Sequence, residues 1–457
     1  MTRFDAPGLG DTIAAISTPI GEGGIGIVRV SGTDAIAVVD RIFRAGSGQG
    51  LSHSETHRLH LGRIVVAGRT VDEALVSVMR APHTYTREDV VEVNCHGGIV
   101  AVRAILDALL AGGARMAERG EFTKRAFLNG RISLDQAKAV LDIVRAKTSL
   151  GLEATVDRLA GRFSEAIAGL RDALTGILAD LEAQIDFPDI DAEPEEIGGR
   201  VTDLRGTVDD LLSRADSGRI VREGLTVAIV GRPNVGKSTL LNGLLSEARA
   251  IVTPIPGTTR DTIEEETSIG GVPVRLIDTA GLRDPQDPVE EAGVRKTEQA
   301  VDRADLVLLV LDGSERLADE DRELLSRDWP VPFVRVINKS DLPREIETLD
   351  SGRETVRVSA IRGEGIDTLR NRLLELLLGG EIPARQSVLL LDHWERDLLR
   401  RIRDALGSAH AALSEGQTPD IVSEELRAAL QTAGELQGID VAESILDAVF
   451  SRFCVGK

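Results

Sequence analysis

The chain has 457 residues, more than one hydrophobic core usually organises, so two or three domains are expected. Its formal charge of -20, from 54 Lys+Arg against 74 Asp+Glu, argues against broad, sequence-independent nucleic-acid binding and confines any RNA contact to a local basic patch. Apolar runs such as "LVLLVL" are too short to span a bilayer and "MTRFDAPGLGDTIAA" lacks the pattern of a secretory signal, so no membrane association and a cytoplasmic location are expected.

Roughly the first 120 residues mix β-branched runs ("GIGIVRV", "DVVEVN") with Gly-rich turns and short helical stretches, which predicts an α+β or α/β domain. Cys95, in "NCHGG", is read as packing; with Cys454 as the only other cysteine, neither a disulfide framework nor a C-x-x-C zinc site is available. His53, His57 and His60 have suggestive spacing, but "RLHLGRIVV" reads as a strand and no metal is expected there. From Phe122 onward apolar residues recur at helical spacing, predicting long amphipathic helices interrupted by the acidic "DFPDIDAEPEE". Residues 225–378 then alternate apolar strand segments with helical stretches, the pattern of a parallel sheet covered by helices. Helical texture returns from "SVLLLDHWERDLLRR" to the end, so the α/β unit reads as an insertion in a helical domain.

Within that insertion, "GRPNVGKS" follows the strand "LTVAIV" and opens the helix "STLLNGLL", the context a phosphate-binding loop requires. Gly231 and Gly236 let backbone N–H groups approach phosphate oxygens, Lys237 adds a point charge and Ser238 can ligate Mg²⁺; Asn234, Val235 and Thr239 complete the stretch. "NKSD" decides the base. Asp341 can accept two hydrogen bonds from guanine, a pair adenine does not offer, and a carboxylate left unpaired penalises the wrong base by about 10⁴-fold. Asn338, Lys339 and Ser340 shape that pocket, with Ser359 and Ala360 behind the base. "DTAG" (Asp278, Thr279, Ala280, Gly281) ends a strand near the Mg²⁺ and the γ-phosphate, and Thr259 of "GTTRD" supplies the second Mg²⁺ ligand. The next residue, Leu282, is unable to orient water as glutamine does in Ras-like proteins, so another group must; Glu290 or Glu291 of the following acidic loop could reach back.

Nearly end to end, the chain resembles the bacterial and organellar tRNA-modifying GTPases called MnmE or TrmE. The resemblance rests on "DTIAAISTPIGEGGIGIVRVSG", "GEFTKRAFLNGRISLDQAKAV", the GTPase motifs within a helical domain, and the terminal "FCVGK". It implies a folate-binding and dimerising α+β domain over residues 1–124 and a helical domain in two segments, 125–221 and 381–457. Between those segments it implies a Ras-like P-loop GTPase domain with a mostly parallel sheet, residues 222–380. It further implies a homodimer, and an FAD-containing partner of the MnmG type in a heterotetramer. Together they would form 5-carboxymethylaminomethyluridine, or its aminomethyl variant, at the wobble position of certain tRNAs. The one-carbon donor would be a tetrahydrofolate derivative in its 5-formyl or 5,10-methylene form.

Residue by residue, the resemblance makes Asn234, Thr253, Ile255 and Thr258 the ligands of a K⁺ ion that activates GTP hydrolysis when two GTPase domains meet; Thr253 and Thr258 also count among the GTP-binding positions. It selects Glu290 as the catalytic glutamate. Arg29, Glu92, Arg131 and Lys457 match folate-contacting positions, and Cys454 becomes a catalytic thiol beside the folate. The competing reading is a ribosome-assembly GTPase acting as a binding switch. Such proteins usually append an RNA-binding module with a G-x-x-G loop or a basic tail, and neither is evident in this sequence.

Overall fold

The computed structural model describes residues 10–187, 194–245, 264–278, 298–347, 349, 354–378, 388–439 and 441–457. The chain divides into two compact units, one comprising residues 1–144, 158–197 and 408–457, the other 145–157 and 198–407.

In the first unit, seven strands form one sheet: β1 (Ile13–Ile16), β2 (Gly26–Ser31), β3 (Phe43–Ala45), β4 (Arg58–Val66), β5 (Arg69–Met79), β6 (Val90–Cys95) and β7 (Arg115–Met116), in the order β3-β4-β5-β6-β2-β1-β7. All neighbours run antiparallel except β1 and β7. Strand alternation sends Val28, Val30, Val91 and Val93 to one face, where Val39 and Ile42 of the helix Ala35–Ile42 and Ile105 and Leu109 of the helix Ile99–Ala111 cover them. Each such side chain stabilises the fold by about 1.5–3 kcal/mol. Arg29 and Glu92 are directly opposite in the β2–β6 register and therefore share the other face, which carries only a small cluster of Ile13, Ala15, Ala117 and Phe122 with Tyr85 against it. Cys95 lies in the first core, its Sγ donating to the Gly26 carbonyl at 3.3 Å, and burial foremost pushes the thiol up to about 11.

A buried ion network holds the helix Glu121–Leu128 to the sheet. Arg125 pairs with Asp11 at 2.6 Å, Glu121 at 3.0 Å and Glu88 at 3.2 Å, and Arg115 pairs with Asp11 and Glu121, each at 2.6 Å. Farther along, the helix Arg162–Asp186 buries Phe163, Ile167, Leu170, Leu174, Ile177 and Leu181, alternate steps of four and three residues that make one apolar stripe. The helix Pro419–Leu436 lies against it and answers with Val422, Leu426, Ala429 and Ala433; its proline sits in the first turn, where no backbone donor is needed.

The second unit is built on β8 (Leu225–Val230), β9 (Glu264–Ile269), β10 (Val272–Asp278), β11 (Leu306–Asp312), β12 (Phe333–Asn338) and β13 (Thr355–Arg357), ordered β13-β12-β11-β8-β10-β9. The sheet is parallel except for the β9–β10 hairpin, which turns at Gly270 and Gly271 with φ of 58° and 86°. Central strands of such a sheet are buried on both faces, and their sequences are accordingly mostly apolar, β11 up to its last residue. Val227 and Ile229 pack against Leu240 and Leu369 on one side, while Ala228 and Val230 meet Val301 and Trp329 on the other. The carboxyl ends of β8, β10, β12 and β13 then carry the segments where a ligand is held in an open α/β sheet.

Candidate functional site

At the end of β8 the chain turns at Gly231, where a Cβ would lie 2.3 Å from the Val310 carbonyl oxygen, so no side chain fits. The loop then wraps around Lys237. Its ammonium is buried and donates to the carbonyls of Gly231 at 2.7 Å and Arg232 at 2.6 Å, which fixes the charge at the start of the helix Lys237–Leu245. Asn234, exposed on the loop, takes a φ of 66°, a left-handed conformation that asparagine tolerates better than most residues. Ser238 donates to a carboxylate oxygen of Asp278 at 2.8 Å, joining the phosphate loop to the end of β10. A hydroxyl beside a buried carboxylate is a hard-oxygen pair of the kind Mg²⁺ accepts, so the residues present fit that ion.

Asn338 ties the base-recognition segment to this loop. Its Nδ2 donates to the Val235 carbonyl at 2.9 Å while its Oδ1 accepts from the Ala360 N–H at 3.0 Å, so one buried amide joins three segments. Gly236 is required beneath it, since a Cβ there would come within 2.2 Å of Nδ2. Lys339, with φ of 60°, pairs through Nζ with Asp312 at 2.5 Å. Ser359 donates to Asp341 Oδ1 at 2.6 Å; this bond first, against burial and with help from Arg362 and Lys339, holds the Asp341 carboxyl below its usual range. It is thus an anion poised to accept N–H donors.

On the open face of the first unit's sheet, Arg29 donates from Nε to Glu92 Oε1 at 2.8 Å, and its Nη2 reaches the same oxygen at 2.8 Å. Its guanidinium also lies 5.6 Å from the ring centres of both Tyr85 and Phe122, while Arg131 stacks on Tyr85 at 4.8 Å. The chain terminus is seated here. Val455 bridges Arg119, the Gly120 N–H donates to the Cys454 carbonyl at 3.4 Å, and the Gly456 carbonyl accepts from Ser17 at 3.0 Å and Arg29 at 3.3 Å. Phe453 anchors the segment, fully buried against Phe450 with ring centres 5.6 Å apart. Gly456, at φ of 95°, passes so close to Ile16 that a Cβ would lie 2.2 Å from its carbonyl oxygen. Cys454 points to solvent. Burial foremost, then Arg29, pushes the Lys457 ammonium below its ordinary pKa, with Cys454 opposing.

Residues 134–454 match the family profile described as MnmE helical domain, and residues 12–131 match the one described as GTP-binding protein TrmE N-terminus. The tRNA modification GTPase MnmE of Geobacillus kaustophilus is 47% identical over the whole of both chains. That of Symbiobacterium thermophilum is 48% identical, covering 98% of this chain and 99% of the relative, and that of Bacillus subtilis is 44% identical, covering 98% and 100%. The chain belongs to the MnmE family of tRNA modification GTPases.

Of the positions the sequence singles out, the phosphate loop with Thr239, Asp278, Asn338 to Asp341, and Ser359 with Ala360 lie together at one end of the second unit's sheet. In the first, Arg29 and Arg131 share the Tyr85 ring, Glu92 pairs with Arg29, and Lys457 feels the Arg29 charge. Thr253, Ile255, Thr258, Thr259, Thr279, Ala280, Gly281 and Glu290 lie outside the described residues. Two contributors escaped the sequence reading. Asp312, the partner of Lys339, ends the apolar strand "LVLLVLD", and a lone carboxylate closing such a run is the signal that could have found it. Tyr85 is the chain's single tyrosine, a rarity that marks it out, but its place between two arginines comes from the fold alone.

Proposed function

We propose that this MnmE-family chain is a K⁺-activated, Mg²⁺-dependent GTPase that acts as a homodimer and, in a heterotetramer with an FAD-containing partner of the MnmG type, modifies the wobble uridine of certain tRNAs in the cytoplasm. The product is 5-carboxymethylaminomethyluridine or its aminomethyl variant, and a 5-formyl or 5,10-methylene tetrahydrofolate supplies the one-carbon unit. The observation that carries the reading is the terminal Cys454–Lys457 segment seated against Arg29, itself paired with Glu92, in a chain that also holds the guanine-nucleotide motifs.

Ser238 and Thr259 would hold a Mg²⁺ that would neutralise phosphate charge, and Lys237 supplies a fixed cation alongside. Asn234, Thr253, Ile255 and Thr258 would ligate a K⁺ whose charge would do the work of an arginine finger; Asn234 lies exposed on the loop, suited to contact from a second GTPase domain. Glu290 orients the attacking water in place of the missing glutamine. On the sheet face, both bonds from Arg29 converge on Glu92 Oε1, which leaves Oε2 to accept adjacent pterin N–H donors, so the residues present fit a folate. Arg131 and Lys457 flank that position, and Cys454 presents a thiol there for transfer chemistry.

Mass spectrometry of wobble uridine from tRNA of cells lacking this chain tests the proposal. The modified base should vanish, return with the intact chain and stay absent with Cys454→Ser, although that variant hydrolyses GTP normally. Undiminished modification in the deletion cells would refute the reading; a ribosome-assembly defect with modification intact would favour the binding-switch alternative.

A further inference from the structure

An open cavity of about 440 Å³ adjoins the pterin-facing surface, and Tyr85 and Arg131 belong to its wall. Its other polar and charged groups include His57, His83 and Arg87, so two guanidinium groups and two imidazoles face it, and among the described residues no carboxylate does. Arg87 and Arg131 make no ion pair among the described residues. Both groups are nevertheless held in place. Arg131 stacks on the Tyr85 ring at 4.8 Å, and Arg87, at a φ of 60° that L side chains rarely adopt, donates from Nη1 to the Asn129 carbonyl at 2.9 Å. A guanidinium with one donor spent on a carbonyl keeps its remaining donors for a planar anion, and a carboxylate matches that fork.

We propose that this cavity binds the glutamyl carboxylates of the folate, with Arg87 and His83 as the tail-recognising side chains, so that the site selects polyglutamylated folates. The assignment rests on the folate reading of Arg29 and Glu92. Tyr85 makes the two regions continuous, because the same ring carries Arg29 on the pterin side and Arg131 on the cavity side. A tail of several carboxylates gains from a wall with only positive or neutral groups, whereas a single glutamate reaches fewer of them.

The test uses the full chain and three ligands: 5-formyltetrahydrofolate as monoglutamate, as triglutamate, and the 5-formyltetrahydropteroate that lacks glutamate. The triglutamate should bind about tenfold tighter than the monoglutamate. Arg87→Ala should bring the two to parity while the pteroate binds it as it binds the parent, and Arg87→Lys should retain part of the preference. His83→Ala, at an exposed position, checks the same wall without disturbing the Asn129 contact. Equal affinity of mono- and triglutamate, or a preference that Arg87→Ala and His83→Ala leave intact, overturns the tail assignment alone. Failure of all three ligands to bind removes the folate reading, and the tail assignment with it.

Discussion

Arg29 donates to the carbonyl of Gly456 at 3.3 Å across 427 positions of sequence, and the same guanidinium pairs with Glu92 at 2.8 Å. One side chain therefore seats the chain terminus and orients the carboxylate beneath it. Arg29→Ala removes both contacts at once and should weaken 5-formyltetrahydrofolate binding about tenfold to hundredfold, the worth of one or two charge-assisted hydrogen bonds. GTP hydrolysis should be unchanged. Calorimetric titration with the folate, beside a phosphate-release assay, checks both halves.

Asp341, held as an anion by Ser359, is the group expected to select guanine. Asp341→Asn presents a donor where guanine also donates, so GTP affinity should drop about 10⁴-fold, while xanthosine triphosphate, which carries a carbonyl in place of the exocyclic amine, should be recovered. Because the carboxyl is held low, the ionised form persists as pH falls through about 4, where a free aspartate protonates. GTP affinity should hold through that range and decline only below it, as titration of a fluorescent GTP analogue would show.

Hydrolysis should be faster in K⁺ than in Na⁺ at matched ionic strength. If the cation takes the part of an arginine finger as proposed, Asn234→Ala should abolish the difference and slow turnover about 10³-fold. Glu290→Ala should stop turnover in either salt, with GTP affinity retained in both variants. Equal initial rates in the two salts for the parent chain would take the ion out of the mechanism.

Arg125 sits almost wholly buried among Asp11, Glu88 and Glu121. Arg125→Met strands those carboxylates and should cost about 3–5 kcal/mol in urea unfolding of the first unit. The pH dependence has a definite sign. Arg115 foremost lowers the Asp11 carboxyl, and for Glu121 the bonds from Arg115, the Glu118 N–H and Arg125 outweigh the opposing effect of burial. Both folded-state pKa values lie below the unfolded ones, so their contribution is fully present above about pH 4–4.5 and is lost as pH falls through the depressed values. In the Arg125→Met variant that acid-side loss should shrink.

The strand–loop–helix around "GRPNVGKS" was legible because its signals are local. A strand must end, two glycines must admit a phosphate, and a lysine and serine must follow at fixed steps, all within one turn of backbone. The helix Arg162–Asp186 was equally legible, since its apolar stripe repeats within the segment itself. The sequence alone thus determined the fold class, the mostly parallel character of the second sheet and, through its motifs, the family.

The pairing of Arg29 with Glu92 depends on a cross-strand register between β2 and β6, and the Lys339–Asp312 pair joins the ends of two different strands. Tyr85 between two guanidinium groups, and an exposed Cys454 on a terminus pinned by Gly456, depend on packing contacts made by residues far apart in the chain. Tertiary structure alone decided these, because hydrogen-bond and ion-pair energies fall off within a few ångströms, and only folding brings such distant groups within that range.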